Sequence, residues 1–407
     1  MTDTAFRAAE RLSTIRVSEI LSRSAHAIAL RRQGKDMIIF GAGEPDFDTP
    51  NHIKDAANVA IAAGDTKYTA LGGSPTLKNA VAAKFLRDNG LHFAADELIV
   101  ATGAKQILYN AMMATLDRGD EVIVPAPYWT SYIDIVSICG GVPKSVQCQE
   151  ADGFLLTPEA LEQAITPRTR WLMLNSPGNP SGAAYRRQDL AALSSVLERH
   201  PHVWVISDDI YEKILFDGVD FQTLASVRPD LAHRILTVNG VSKSHAMTGW
   251  RIGYAGGPRS LIAAMMIVQS QTTSCPSSIG QAAAVAALNG PEEPIADMVA
   301  SFAIRRDRVV AALDGVAGLS CRRPEGAFYA YAGCAALIGA RTPADSLIVD
   351  DRTLADYLLE FGVAVIPGAC FGLSPYFRLS YACSDSDLAE GLSRIVKACA
   401  TLTTADT

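Results

Sequence analysis

The most regular pattern in the chain is an alternation of short apolar runs with stretches of helical spacing, which begins near Glu97. The runs place hydrophobic residues on consecutive positions, so each predicts a strand buried on both faces. Such strands, separated by helices, are typical of a mostly parallel sheet between two helix layers. The runs cover residues 98–101, 122–124, 171–174, 203–206, 235–238 and 252–255, and the clearest intervening helices cover residues 106–116 and 190–198.

The segments on either side of this alternation complete the predicted fold. Helical spacing predicts an N-terminal helical arm over residues 5–33, ended by Gly34, and a short strand follows at 37–40. The sequence therefore predicts an α/β fold, a three-layer sandwich with a mostly parallel central sheet, plus a smaller α+β domain. The other predicted elements are helices at 51–63, from 76 onward, and at 260–271, 279–288, 295–313, 353–361 and 386–402, with strands at 363–366 and 377–381.

Composition and charge exclude several classes of partner. The chain has 407 residues and a formal net charge of -7, which argues against a nucleic-acid surface or an anionic membrane. No stretch is long and apolar enough to predict a membrane span, and the first residues lack the apolar core of a secretory signal, so we expect a cytoplasmic protein. The eight cysteines have neither paired nor metal-binding spacing and predict free thiols.

Lys243 is the strongest candidate for chemistry. It follows Ser242 closely after the apolar run 235–238, and Arg251 opens the next run. A lysine removed from water has a lowered pKa, which leaves its amine free to attack a carbonyl, while a serine hydroxyl and a guanidinium bind phosphate. An ordinary surface lysine at a strand end is the alternative.

Further candidates follow other predicted strands, where ligands of α/β sheets gather. Gly103 and Ala104 open a helix, whose free N–H groups favour a phosphate, although a plain strand-to-helix turn has the same pattern. Asp208 ends the run 203–206, and a carboxylate emerging there needs a positive partner. Trp129 is either a core aromatic or a platform for a flat ring.

Five motifs, in order along the chain, carry a resemblance to a known family. Ser-Lys-x-x-x-Met-Thr-Gly-Trp-Arg-Ile-Gly surrounds Lys243 and resembles the lysine motif of the class I (fold type I) pyridoxal phosphate aminotransferases. The match is closer to the bacterial aspartate aminotransferase subgroup, which also contains prephenate aminotransferases. The other four are Gly-Glu-Pro-Asp-Phe from Gly43, Asn-x-Pro-x-Asn-Pro-Ser-Gly around Asn179, Asp-Asp-Ile-Tyr from Asp208, and Arg-x-Ser from Arg378.

The resemblance implies pyridoxal 5'-phosphate as the cofactor. Lys243 would bind it covalently and move protons, and Asp208 would pair with its ring nitrogen. Tyr211 and Asn179 would hydrogen-bond its ring oxygen, and Trp129 would lie against the ring. The phosphate would be held by Gly103, Ala104, Lys105, Ser242, Arg251 and Tyr68, the last from the neighbouring subunit of a homodimer with shared active sites.

The resemblance also implies residues that bind amino acid and 2-oxo acid substrates. Gly43 and Arg378 would hold the α-carboxylate, with Trp129 and Asn179 beside it. Lys105 resembles a lysine that binds the distal carboxylate of aspartate and glutamate, and its alternative is a solvated first-turn lysine. Ser18 on the arm matches the subgroup. Ile20 and His245 depart from it and leave room for a larger oxo acid.

The preferred reading is ping-pong transamination between aspartate and 2-oxoglutarate, with no metal. An aromatic or prephenate aminotransferase is the alternative. A lyase on the same scaffold and a non-catalytic cofactor-binding regulator remain open. The predicted domains are an N-terminal arm with part of the small domain (1–50), a large cofactor-binding domain (51–325) and a C-terminal small domain (326–407).

Overall fold

The backbone forms a central sheet, a smaller sheet and a two-stranded pair. The structure is a computed structural model, which describes residues 6–13, 15 and 17–403. Its strands are β1 (Ile38–Ile39), β2 (Leu98–Ala101), β3 (Glu121–Ala126), β4 (Val142–Gln147), β5 (Thr169–Asn175), β6 (Trp204–Asp208), β7 (Ile235–Gly240), β8 (Gly253–Gly256), β9 (Ser320–Cys321), β10 (Tyr329–Gly333), β11 (Val363–Ala364), β12 (Ile366–Pro367) and β13 (Tyr376–Ser380).

Helices account for most of the remaining regular structure. Short 3-10 turns precede or follow several of them. The α-helices are α1 (Glu19–Arg32), α2 (Asn51–Ala62), α3 (Pro75–Asn89), α4 (Ala104–Thr115), α5 (Ser131–Ile138), α6 (Pro158–Ala164), α7 (Arg187–Arg199), α8 (Leu224–Val227), α9 (Arg259–Gln271), α10 (Ser278–Asn289), α11 (Glu293–Asp314), α12 (Asp351–Glu360) and α13 (Asp385–Ala400).

The central sheet has seven strands in the order β2-β8-β7-β6-β5-β3-β4. β8 pairs antiparallel with both β2 and β7, and the other pairs are parallel. All strands except β8 therefore end at the same edge. Because β8 runs the other way, the residues that precede it also lie at that edge.

Helices cover both faces of this sheet. Trp171 and Met173 of β5 pack in one apolar cluster with α4, α5 and α9, whereas Leu172 and Leu174 pack in another with α2, α3, α7 and α10. The alternation follows from the pleat of the strand, and it explains why the strand reads as an unbroken apolar run. The predicted α/β sandwich with a mostly parallel sheet is confirmed.

The later part of the chain forms a four-stranded antiparallel sheet in the order β12-β13-β10-β9. Helices α11, α12 and α13 pack beside it around a third apolar cluster that contains Phe302 and Phe328. β1 pairs with β11, so the N-terminal segment is tied to this smaller part. No helix in the described ranges has the length and apolar character needed to cross a membrane.

The N-terminal helix is shorter than predicted. Helical spacing predicts residues 5–33, whereas α1 begins at Glu19 and ends at Arg32. The preceding 3-10 turn, Glu10–Leu12, has no buried residue, and Phe6 and Val17 are exposed, so no packing stabilises a longer helix. Residues 5, 14 and 16 of the predicted helix lie outside the described residues.

Three strands were missed: β4, β10 and the two-residue strand β9. β4 is an edge strand whose side chains are exposed or half-buried, Val142 among them, so it lacks an apolar run. It also contains Pro143, which has no backbone N–H to donate to a neighbouring strand. β10 alternates tyrosine with alanine and ends at Gly333, yet all its residues are buried because α11 and the neighbouring strands enclose it.

A buried ion pair lies behind the end of β6. Lys84 of α3 pairs with Glu212, and Asn89 bridges the two by accepting a bond from Lys84 at 2.8 Å and donating one to Glu212 at 2.9 Å. All three side chains are buried. Breaking one partner of such a pair leaves the other charge without compensation.

Replacing Lys84 with Met should lower the free energy of unfolding by about 3–5 kcal/mol, because the Glu212 carboxylate loses its ion-pair partner. Urea unfolding of the protein, followed by circular dichroism, measures the change. The matched control is Lys78→Met on the same helix. Lys78 donates to the carbonyl oxygen of Ala95, and its loss should cost less than about 1.5 kcal/mol. Equal losses would contradict the assignment.

Candidate active site

A cavity of about 550 Å³ opens at the edge where the parallel strands of the central sheet end. This size suits a cofactor together with a small substrate. Residues from the ends of β5, β6 and β7 line it, together with α1, the start of α4, the turn after β1 and β13. The predicted residues that line it are Ser18, Gly43, Ala104, Lys105, Trp129, Asn179, Asp208, Tyr211, Ser242, Lys243, Arg251 and Arg378.

Lys243 lies three residues after the end of β7, and its ammonium group donates to the carbonyl oxygen of Gly43 at 2.5 Å. Its Nζ atom is 6.0 Å from the ring centres of Tyr211 and Phe328. Removal from water lowers the pKa of Lys243 to about 8. A useful fraction of the amine is therefore unprotonated, and reactive towards a carbonyl, near neutral pH.

Asp208 is buried at the end of β6 with only one oxygen satisfied. Oδ2 accepts a hydrogen bond from the Tyr132 hydroxyl at 2.6 Å, whereas Oδ1 has no partner among the described residues. Burial raises the pKa of Asp208 to about 6, against the opposing effect of the Tyr132 bond. A buried carboxylate oxygen that faces a cavity fits a cationic N–H donor of a bound ligand.

The start of α4 forms an anion cradle with Arg251. Gly103 has φ +87°, and no side chain caps the first turn of the helix, so its N–H groups remain available. A Cβ on Gly103 would lie 2.4 Å from the Arg251 guanidinium, and one on Gly253 would lie 2.2 Å from the Ala104 nitrogen. Glycine at both positions lets the guanidinium and the helix start converge.

Arg378 is buried on β13 at the other end of the cavity. Nη1 donates to the Asn179 side-chain oxygen at 3.0 Å and Nη2 to the Gly41 carbonyl at 2.8 Å, while Nε has no partner in the described chain. The guanidinium lies 4.5 Å from the centre of the Tyr329 ring. Burial lowers its pKa, but arginine keeps its charge, so the group is a fixed cation for a carboxylate.

Two tyrosines connect these ends of the site. The hydroxyl groups of Tyr211 and Tyr329 lie 2.9 Å apart, and both residues are buried and line the cavity. Because Asn179 uses its oxygen to accept from Arg378, its amide NH₂ group is the one free to donate. Tyr211 and Asn179 are thus able to bond a polar atom of a ligand between them.

Lys105 and a group of apolar side chains also line the cavity. Nζ of Lys105 lies 4.7 Å from the ring centre of Trp129, and burial, followed by the nearby Arg251, lowers the pKa of Lys105. Ser18, which precedes α1, and Ile20 of α1 contribute to the lining. Leu21, Ile28 and Ile39 add further apolar side chains.

Three of the predicted positions do not line this cavity: Gly103, which directly precedes the lining residue Ala104, Tyr68 and His245. Tyr68 is 92% exposed and does not line it, so only a second subunit could bring such a tyrosine to the site. His245 is buried behind the site, where its Nδ1 atom is 2.8 Å from the Ser244 hydroxyl, and burial lowers its pKa to about 4. His245 does not line the cavity, and its effect on substrate choice remains a prediction.

Sequence reasoning gave no role to several polar residues of the site, among them Tyr132, Tyr329, Glu44 and Thr248. Nothing in the sequence marks Tyr132 and Tyr329 as site residues. Tyr132 is an aromatic residue in α5, and Tyr329 lies in β10, which was not predicted. Glu44 and Thr248 also line the cavity, and the Thr248 hydroxyl donates to the Glu44 carboxylate at 2.7 Å. Both belong to motifs that were quoted, but 204 positions separate them and only the fold brings them together.

The chain belongs to the aminotransferase class I and II family, whose sequence pattern matches residues 35–395. The aspartate aminotransferase of Rhizobium meliloti strain 1021 is 60% identical over 97% of this chain and 96% of its own length. The aspartate/prephenate aminotransferase of Cereibacter sphaeroides is 54% identical over 96% of this chain and 98% of its own. The resemblance inferred from the motifs is confirmed.

Solved structures agree with the sequence relatives. A crystal structure of the aspartate aminotransferase from Rhizobium meliloti has a TM-score of 0.96 at 60% identity, covering 98% of this chain and all of its own. The aspartate aminotransferase from Thermus thermophilus with maleate has a TM-score of 0.90 at 41% identity, covering 97% of this chain and 100% of its own.

For the pyridoxal 5'-phosphate that the motif resemblance implies, replacing Gly253 with Ala should weaken binding by about tenfold or more, because the new methyl group displaces the start of α4 from Arg251. Absorbance titration of the cofactor-free protein measures the affinity. Gly249→Ala is the matched control, since its Cβ would meet no atom within 4 Å. If both variants bind the cofactor equally well, the close backbone approach is not required.

Proposed function

We propose that the protein transfers the amino group of aspartate to 2-oxoglutarate, with pyridoxal 5'-phosphate as its cofactor. The observation that carries this proposal is the arrangement of three groups around one cavity: the low-pKa amine of Lys243, the unpartnered oxygen of Asp208 and the buried guanidinium of Arg378. The two relatives named aspartate aminotransferase, at 60% and 59% identity, support the same reaction.

The residues present fit this cofactor. The unpartnered Asp208 oxygen suits a protonated ring nitrogen, and the Gly103–Arg251 cradle with Ser242 suits the phosphate. Trp129 lies beside Tyr132, with ring centres 5.4 Å apart, and offers a face to a flat ring. When bound, the cofactor supplies an aldehyde for the substrate amine and a ring that delocalises negative charge.

The chain's own part in the reaction is to bind, orient and move protons. Lys243 carries the proton between the substrate α-carbon and the cofactor, since its pKa of about 8 suits both acceptance and donation near neutral pH. Asp208 holds the ring nitrogen protonated, and Tyr132 fixes the orientation of the Asp208 carboxylate. Tyr211 and Asn179 bond the ring oxygen from the side of Arg378.

Substrate recognition divides between two cations. Arg378 binds the α-carboxylate through a planar guanidinium, which Asn179 and the Gly41 carbonyl hold in place. Lys105, which lines the same cavity, binds the distal carboxylate of aspartate or 2-oxoglutarate. The Thermus thermophilus relative solved with maleate, a dicarboxylate, supports a site built for two carboxylates.

A second substrate class has its own support. Ile20, Leu21 and Ile28 of α1 are apolar and line the same cavity as Lys105. A larger oxo acid could bury its ring there. The relative named aspartate/prephenate aminotransferase, at 54% identity, favours prephenate as an additional acceptor.

We further propose a homodimer in which Tyr68 of each subunit reaches the phosphate cradle of the other. Its ring is 92% exposed, which is unusual for an aromatic residue without a partner surface. The proposed domains are residues 1–50, 51–325 and 326–407. The separate apolar cluster around β10 and β13 supports the smaller domain, and the pairing of β1 with β11 joins the first segment to it.

A panel of amino donors with 2-oxoglutarate tests the reaction. Aspartate should be the best donor and yield oxaloacetate and glutamate, whereas Lys243→Ala should lose the activity and the visible absorbance of the bound cofactor. Borohydride treatment should attach the cofactor permanently to the peptide that contains Lys243. Equal or better rates with phenylalanine would overturn the preference for aspartate, and recovery of the label on another peptide would overturn the role of Lys243.

Replacing Arg378 with Lys should raise KM for both aspartate and 2-oxoglutarate by about tenfold or more, because an ammonium group keeps the charge but loses the planar, two-point contact. Steady-state kinetics with each substrate varied in turn measure the effect. Arg341→Lys, on the surface and bonded to Asp345, is the control and should leave KM unchanged. A change in kcat alone would argue against carboxylate binding.

A further inference from the structure

The turn after β1 and the loop that carries Lys243 are fastened together by side-chain hydrogen bonds. The two segments are about 200 positions apart in the chain, so the bonds are purely tertiary. The first two bonds given below join residues that line the cavity, and the other two join residues that line a neighbouring pocket. The bonds run from Lys243 to the Gly43 carbonyl (2.5 Å), from Thr248 to the Glu44 carboxylate (2.7 Å), from Thr49 to the Ala246 carbonyl (2.6 Å) and from Trp250 to the Thr49 hydroxyl (3.0 Å).

Glu44 places a negative charge in the lining of a cavity that we propose binds acidic substrates. Lys105, Arg251 and Arg378 give the lining a positive character, and a carboxylate among them repels a dicarboxylate substrate. Thr248 nevertheless holds the Glu44 side chain at the lining by a hydrogen bond. This placement suits an action on Lys243, whose amine is bonded to the carbonyl of the preceding residue, Gly43.

The charged groups around Lys243 oppose one another. Arg251 and Arg378 disfavour its protonated form, whereas Glu44 and Asp208 favour it. The rings of Tyr211 and Phe328 face the amine from a distance of 6.0 Å. After burial, Glu44 has the largest influence on the pKa of Lys243, larger than that of Asp208. In the proposed reaction Asp208 is paired with the ring nitrogen, which leaves Glu44 as the remaining counter-charge.

We propose that Glu44, tethered by Thr248, is a positioning residue that stabilises the protonated form of the Lys243 amine and keeps it against the Gly43 carbonyl. The consequence for catalysis rests on the proposed function, because it concerns the moment when the amine is released and must both accept and donate a proton. The effect on the protonation of the Lys243 amine does not rest on the proposed function, because this effect exists in the cofactor-free protein.

The charges around Lys243 determine whether its pKa rises or falls in each variant. Removing the carboxylate in Glu44→Gln leaves Arg251 and Arg378 less opposed, so the protonated amine is less stable and its pKa falls. Thr248→Val keeps the charge but frees the carboxylate to move into solvent, and should act in the same direction by a smaller amount. Asp48→Asn is the matched control, since this exposed carboxylate lies on the same turn but does not line the cavity.

Competitive acetylation of the cofactor-free protein with acetic anhydride tests the proposal. The extent of reaction of the Lys243 peptide, measured by mass spectrometry against pH, reports the proton equilibrium of that amine. The profile of the unaltered protein should have its midpoint near 8. Glu44 is itself exposed, so solvent screens part of its charge; Glu44→Gln should move the midpoint measurably to lower pH, Thr248→Val by less, and Asp48→Asn should leave it in place.

An unchanged midpoint in Glu44→Gln, or an equal shift in Asp48→Asn, would overturn the proposal. Circular dichroism of each variant verifies that the fold is kept, and Glu44→Asp provides a second test, because it retains the charge and should restore most of the midpoint. The acetylation profile needs neither cofactor nor substrate. A protein that failed to transaminate would refute the proposed function and leave this measurement valid.

Discussion

The site depends on the burial of ionisable groups whose charges are only partly compensated by the protein. Asp208 has one oxygen bonded to Tyr132 and the other without a partner in the described chain, and burial raises its pKa to about 6. The same desolvation lowers the pKa values of Lys243 and Arg378. Burying the charged forms of these groups costs free energy in the unliganded protein. A ligand with the complementary pattern of charges stabilises the charged forms when it fills the cavity. Ligand binding in the cavity therefore offsets part of the free-energy cost of burying these groups.

The direction of the strands decides which residues share that cavity. β2, β5, β6 and β7 end at one edge of the central sheet, so the residues that follow them converge there. β8 runs against its neighbours, and for that reason Arg251, which precedes the strand, reaches the same edge as Gly103, which follows β2. Glycine at 253 allows the two backbones to touch. A parallel β8 would have placed the guanidinium at the opposite edge, away from the helix start.

Sequence reasoning succeeded where chemistry is local and failed where it depends on tertiary contacts. The buried strands were predicted because both faces are apolar, and residues such as Asp208 and Lys243 were found because they follow those strands directly. Tyr132 could not be assigned, since its partner is 76 positions away and its helix gave no amphipathic signal. β4 was missed because an edge strand with exposed side chains has no apolar run. The domain limits and the roles of the site residues remain predictions.

The arrangement of Arg378 shows how the two ends of the cavity are coupled. Its two terminal nitrogens already bond Asn179 and the Gly41 carbonyl, so an incoming carboxylate must share these donors or take the unpartnered Nε. Asn179 lies between Arg378 and the position proposed for the cofactor ring. A shift of the Arg378 guanidinium towards a carboxylate thus changes the hydrogen bonding of the Asn179 oxygen. In the proposed reaction, binding of the substrate carboxylate at Arg378 would therefore change the hydrogen bonding of Asn179 beside the cofactor ring before a proton moves at Lys243.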